Sequence, residues 1–562
     1  MIETLSYLAT EAYDKFFSNE ARPSLHPIPG TKPLTVEAAI LPPLLYYLAL
    51  LFLPPPPPQA INSFAVQTLR NVTALFAGIL FFRLPLTYHV PQSIGLTYQL
   101  GLVGIYGGCR VLDAFFISPY LFGHIPRRVG YTHNPRPETP GEHLVYKDRI
   151  WTDGGLKDPF SGTANSSAKA SRATTPEPEQ NGTSTKVEAT STSTSYSSTL
   201  RGNSIPNNTR KNNPAHQNRK PSTTLQQSYF LISDAFAGPN PQPVYEYAKT
   251  EDGWPHSFTD RASWALELEM SMRGQGFTWT TADVRHTRRT WLPTLQNRIH
   301  SILIHVLPIQ LASWFTISTI YTRYLASTME SPTYNPFTTP PSQTSISYHL
   351  TRPTELFDTL PLPIQLLLTL SLGAFLMSAF SLGHSFFAIL LHPLSPHPLA
   401  FFPPLYTTRI WSLTSVRKFW SYGWHRLFAR LFLVYGIYPG EFLERKILRK
   451  SSSEPADVGK LLGAFASSAF VHAFSVRGVL AGRWEDAAGE ARFFALNGLA
   501  CVVEVAVQRA VKALRARLGW RRDRGFDKWI GRVWWICVVV WTGREFARGW
   551  VKSGLVREMA FR

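Results

Sequence analysis

His472 is the residue in this sequence best placed for proton transfer. It lies inside the run LLGAFASSAFVHAFSVRGVL (461–480), where Gly463, Ala464, Ala466, Ser467, Ser468 and Ala469 precede it. Small side chains let a second helix or a ligand approach closely. Apolar surroundings favour a neutral imidazole, and a neutral imidazole can act as a general base. The plainer alternative is a histidine that only hydrogen-bonds across a helix bundle. His425 is the second candidate. It falls between Trp424 and Arg426 in RIWSLTSVRKFWSYGWHRLFAR (409–430), with Arg417 and Trp420 just upstream. Trp, Arg and Lys at near-helical spacing fit an interfacial amphipathic helix on their own, but that leaves His425 unexplained. Asn497 and Glu504 are seven apart in FFALNGLACVVE (493–504) and so share one helix face. Inside a membrane that face turns toward protein rather than lipid.

Two further patterns could bear on chemistry. MRGQGFTW (272–279) has glycines on both sides of Gln275, which suits a turn with close backbone approach. It is no phosphate loop, because neither GxxxxGK[ST] nor GxGxxG occurs there. His300 with His305, and His392 with His397, fit HxxxxH, as in membrane di-iron oxidases. No adjacent His-His pair and no HExxH is present, so no metal site is expected.

The elements that must carry these residues are membrane helices. The chain has 562 residues with 13% aromatic and 17% charged residues; a soluble globule carries about a quarter charged. Lys plus Arg is 56 against 37 Asp plus Glu, a formal charge of +19. The basic residues lie beside apolar runs, which fits a lipid bilayer and the positive-inside rule and discounts nucleic acid. Cys109, Cys501 and Cys537 form no CxxC pair and no disulfide framework.

A spanning helix needs about 20 mostly apolar residues. The sequence predicts spans over 35–53, 64–84, 94–121, 299–321, 360–391, 461–480, 492–507 and 529–541, with a short apolar run at 427–438 read as re-entrant. The fold class expected is therefore all-α, a polytopic integral membrane bundle of about eight spans. The 94–121 span contains Arg110 and Asp113, three apart and able to pair on one face. The expected division is N-terminal spans over 1–122, a polar loop over 123–262, a core over 263–545 and a tail over 546–562. Within the loop, 161–226 holds 24 Ser/Thr in 66 residues and reads as a disordered insert.

Taken together, these segments resemble the fungal wax-synthase-like branch of the membrane-bound O-acyltransferases. RGQGFTW is similar to that branch's RG-x-G-x-x-W motif. PPLY (403–406) followed by SVRKFWSYGWHRLF is similar to its PPLF…S-x-x-x-FW-x-x-x-WH-x-x-F signature. AFASSAFVHAF resembles its small-residue helix with a histidine, and FFALNGLACVVE the helix that follows. One departure is the VHAF stretch at 471–474, where many relatives have Gly shortly before the histidine.

The resemblance implies acyl transfer from an acyl-CoA co-substrate to the hydroxyl of a hydrophobic alcohol acceptor, with no permanently bound cofactor. It implies His472 as the catalytic base and His425 as the polar group of the WH motif. Trp420, Trp424 and Asn497 are expected near the substrate, and Arg417 and Arg426 near CoA phosphates or lipid headgroups. Residence in the endoplasmic reticulum membrane is the corresponding expectation. The rival readings are a non-catalytic lipid-binding or scaffold protein and, less favoured, the di-iron oxidase.

Overall fold

The computed structural model describes residues 2–17, 25–54, 63–122, 125–126, 254–255, 257–274, 277, 279, 295–331, 334–337, 355–390, 405, 410, 413–424, 427–451, 454–519 and 524–560. All of them fall in one compact unit made of 1–163 and 241–562. The insert expected at 161–226, and with it most of the polar loop, lies outside the described residues.

The described residues are almost entirely helical. After α1 (Ile2–Phe17) come α2 (Val36–Leu51), α3 (Ser63–Thr87) and α4 (Ile94–Leu121). Two-residue strands, β1 (Lys32–Pro33) and β2 (Tyr88–His89), pair in parallel, a small exception to the all-α expectation. The later helices are α5 (Phe258–Met270), α6 (Arg298–Met329), α7 (Leu362–Leu390), α8 (Tyr438–Ile447), α9 (Asp457–Arg477), α10 (Trp484–Leu518), α11 (Arg524–Lys552) and α12 (Leu555–Met559). Local chemistry sets several ends. Thr35 caps α2 by accepting from the Ala38 N–H, and the helix stops at Leu51, just before the proline run begins at Pro54. Ser93 caps α4 in the same way through the Leu96 N–H.

Among the described residues five helices are long and apolar enough to cross a membrane by length and composition: α4, α6, α7, α10 and, in α3, Phe64–Thr87. The expected count of eight is not reached on those grounds. All eight apolar segments are helical, but α2 has only 16 residues and α9 and α11 mix apolar with polar and charged positions. Two expected short spans are the middles of longer helices. The segment at 492–507 lies within the 35 residues of α10, and 529–541 within the 29 residues of α11. At 1.5 Å per residue α10 is about 52 Å long, more than the roughly 30 Å hydrocarbon core, and its final turns are exposed. The run at 427–438 is not a separate re-entrant element. It leads through Ala429–Phe432 and the π turn Leu433–Ile437 directly into α8.

Glycine decides how α9 is held. Gly436 faces Gly463 and Gly440 faces Gly459, so the helical stretch ending in α8 and α9 cross antiparallel with backbone against backbone. A Cβ on any of the four would strike a backbone carbonyl oxygen of the facing helix. The next turns of α9 carry His472, so this crossing sets its position. At the far end of the bundle the Glu558 carboxylate of α12 accepts from the Ile94 N–H at 2.6 Å and the Gly95 N–H at 3.2 Å. A carboxylate there satisfies the open first turn of α4 and opposes its dipole favourably.

Gly463→Val is expected to destabilise the protein by about 1–3 kcal/mol or more through overpacking. Gly373→Ala on α7, where an added Cβ meets nothing within 4 Å, is expected to be neutral or stabilising. Thermal unfolding of both variants in detergent checks the pair; equal midpoints would remove the crossing as the constraint on α9.

Candidate active site

His472 faces a buried polar cluster drawn from four helices. Its Nδ1 lies 2.9 Å from the Tyr98 hydroxyl of α4. That hydroxyl donates to Glu490 Oε2 of α10 at 3.2 Å, and the Trp550 indole N–H of α11 donates to Glu490 Oε1 at 3.0 Å. The Glu490 oxygen is 3.7 Å from His472 Nδ1. Tyr98 has a single hydroxyl proton, and with Glu490 ionised that proton is donated to its carboxylate. The tyrosine oxygen therefore accepts from Nδ1–H, which leaves the Nε2 lone pair of His472 unengaged by this network. Phe494 stacks on the imidazole at 4.6 Å and 27°, and Phe546 meets it edge-on at 6.0 Å. The side chain of Glu490 is 1% exposed and that of His472 12%, so the histidine is the accessible member.

α10 acts as a ruler for this region. Glu490, Asn497 and Glu504 repeat every seven residues and all three are buried. Asn497 donates to the Phe493 carbonyl at 2.8 Å and to Thr542 Oγ1 at 2.9 Å, while its oxygen accepts from Trp420 Nε1 at 3.1 Å. Both N–H donors of Asn497 are thus taken by protein, and its place is behind Trp420. Glu504 accepts from the Val416 N–H at 2.7 Å and so anchors the start of the segment that bears Trp420.

Trp420 packs against Trp424 at 5.7 Å, Phe493 at 5.7 Å and Phe494 at 5.6 Å. An aromatic wall therefore runs from Trp424 through Trp420 and Phe494 to His472. Of the residues expected at the site, His472, Trp420, Trp424 and Asn497 come together. Arg417 is exposed on the outer side of the Trp420 segment. His425 and Arg426 lie outside the described residues. Tyr98, Glu490 and Trp550 were missed. Glu490 had a signal, seven residues before Asn497 on the face already singled out; a lone tyrosine or tryptophan in a span has none.

The two charges of α4 do not pair with each other as the sequence suggested. Arg110 donates to Tyr46 at 3.0 Å, to Tyr106 at 2.5 Å, and to the carbonyls of Ser271 at 2.9 Å, Met272 at 3.2 Å and Leu268. It thereby holds the chain entering the MRGQGFTW segment, where Gly274 has φ of 64°. Asp113 starts a π turn, Asp113–Ile117, and pairs with Arg430 instead, at 2.7 and 3.1 Å. Among the described residues no group of three or more His, Cys, Asp or Glu is arranged to hold a metal ion. His300 is described, whereas His392 and His397 lie outside the described residues.

Burial pushes the Glu269 carboxyl of α5 up to about 7 from its ordinary 4.5, and the Arg110 charge offsets only part of this. Between those values the folded protein keeps a proton that the unfolded chain has lost, so this group makes stability fall as pH rises. Glu269→Gln should flatten that slope and raise the unfolding midpoint most above pH 7; an unchanged slope between pH 5 and 8 would refute the assignment.

Comparison with known proteins bears on this region. Residues 402–496 match the family described as "Membrane bound O-acyl transferase family", a stretch that includes Trp420, His472 and Glu490. The protein named Acetyltransferase eriL, from Hericium erinaceus, is 29% identical over 164 residues, covering 28% of this chain. The chain spans 41% of the length of that curated relative. No solved structure matches. Both are likenesses of parts of this chain, and the long apolar helices are those expected of an integral membrane protein.

Proposed function

We propose that this protein is a membrane O-acyltransferase of the wax-synthase-like branch, moving an acyl group from acyl-CoA to the hydroxyl of a hydrophobic alcohol in the endoplasmic reticulum membrane. The observation that carries the reading is the Tyr98–His472–Glu490 arrangement, in which His472 Nδ1 is engaged and Nε2 is left for substrate. In the proposed step His472 Nε2 takes the proton of the acceptor hydroxyl as its oxygen attacks the thioester carbonyl carbon. The carbon–sulfur bond breaks, the electron pair leaves on the CoA thiolate, and the imidazolium returns its proton to that sulfur. Nδ1–H bonded to Tyr98, with Glu490 behind it, stabilises the imidazolium that forms in between. No covalent enzyme intermediate is required.

His425 is assigned to the developing oxyanion, where one donor typically contributes about 3 kcal/mol. Trp420 and Trp424 are assigned to the wall of the acyl path, with Asn497 holding Trp420 by its indole. A path lined by aromatics excludes water and favours alcoholysis over hydrolysis. The relative is named an acetyltransferase, which favours acetyl as the group transferred.

Microsomes expressing wild type, His472→Ala and Tyr98→Phe would be given labelled acetyl-CoA or palmitoyl-CoA with pooled fatty and terpenoid alcohols. Labelled ester is expected from wild type and to fall by about 10²-fold or more in His472→Ala. Tyr98→Phe should lose less rate and shift the pH profile of what remains. Equal ester from wild type and His472→Ala, at equal expression, would sink His472 as the base.

A further inference from the structure

A second polar cleft lies further along α4 from the Tyr98–His472 cluster and is not used by the proposed reaction. Tyr106, Arg110, Asp113, Met272, Trp279 and Arg430 line it. Arg110 is 12 residues beyond Tyr98, about 18 Å along the helix. Tyr435, also on the cleft, precedes Gly436 and so sits level with the first turns of α9. That is the end of the bundle where Arg445, Lys446, Arg449 and Lys450 join α8 to α9.

Three observations converge there. The Trp279 ring lies close to two guanidiniums, 4.9 Å from Arg110 and 5.5 Å from Arg430. Asp113 neutralises Arg430, but all the hydrogen bonds of Arg110 go to neutral hydroxyls and carbonyls, so its charge meets no carboxylate hydrogen-bond partner. Finally, two buried donors, Arg430 Nη1 and Trp279 Nε1, have no hydrogen-bond partner among the described residues. Trp279 is 2% exposed and Arg430 8%. Buried donors left unmade are costly unless an acceptor completes them.

We propose that the cleft framed by Arg110, Trp279 and Arg430 is an anion site that takes a phosphate group. A phosphate offers acceptor oxygens to Arg430 Nη1 and Trp279 Nε1, while Arg110, whose N–H groups are taken by Tyr46, Tyr106, Leu268, Ser271 and Met272, adds its charge alone. Two sources carry that chemistry: the nucleotide end of a soluble phosphate ester, and the headgroup of an anionic phospholipid. In the first case the site would hold the far end of the acyl donor while its thioester reaches His472, a version that rests on the acyl-transfer reading above.

Full-length protein in detergent would be titrated with adenosine 3′,5′-bisphosphate, with phosphatidic acid and with acetate at matched ionic strength, following thermal unfolding. Arg430→Gln strands Asp113, so Trp279→Phe, which keeps the ring and removes the N–H, is the deciding variant. Saturable stabilisation by either phosphate probe, weakened about tenfold in Trp279→Phe, is expected. The bisphosphate as the effective probe identifies the nucleotide source, and phosphatidic acid alone identifies the lipid source. No stabilisation of wild type by either, or equal stabilisation by acetate, or an unaltered response in Trp279→Phe, overturns the site. Ester synthesis by a protein blind to phosphate would sink the site and leave the acyl-transfer reading standing. Phosphate binding without any ester would do the reverse.

Discussion

The carboxyl group of Glu490 is the group around which the helices bearing His472, Tyr98 and Trp550 are arranged. A buried carboxylate without partners costs several kcal/mol, and this one is 1% exposed. It is satisfied by a tyrosine from α4 and a tryptophan from α11. The tyrosine in turn reaches His472 on α9. Four helices are thereby held in a mutual register that none could adopt alone, and the histidine ring is oriented by the same bonds. The aromatic stack of Phe494 and Phe546 closes two further sides of that ring.

The remaining packing works to keep that register. Glu490, Asn497 and Glu504 divide α10 into three stations, one for the histidine, one for Trp420 and one for the start of the Trp420 segment. On the opposite side of α9, glycines replace side chains so that backbones touch. Any sideways shift of α9 at that crossing would move His472 away from Tyr98. Arg110 plays the equivalent part for the MRGQGFTW segment, where carbonyl oxygens that helices and strands do not use are taken up by a single guanidinium. A charged side chain is suited to this because hydrogen bonds to it are stronger than neutral ones and survive where water is scarce.

Much of this could be read from the chain without coordinates. Long apolar runs can satisfy their backbone in a membrane only as helices, and each of the eight runs is one. An ionisable residue in such a run must face protein, which singled out His472 and the Asn497–Glu504 face. Helix ends were less legible. The stretch WEDAAGEAR before Phe493 is too polar to read as a span, yet it is the first part of α10 and contains Glu490. Polar residues that pair inside a bundle lower the hydropathy of the very helices that need them, so α11, read as 529–541, was underestimated for the same reason.

The sequence by itself determined where the helices lie, which of their faces avoid lipid, and that an imidazole sits among small and aromatic residues. Those properties depend on neighbours within a few turns. Only the tertiary structure decided who meets whom. Tyr98 and His472 are separated by 374 residues. Asp113 takes Arg430, 317 residues away, over Arg110 three positions before it. A π turn begins at Asp113, and the Arg110 guanidinium is taken by carbonyls at the end of α5 and just beyond it. Such partnerships are settled by which buried groups would otherwise go unsatisfied, and that depends on the whole bundle rather than on local periodicity.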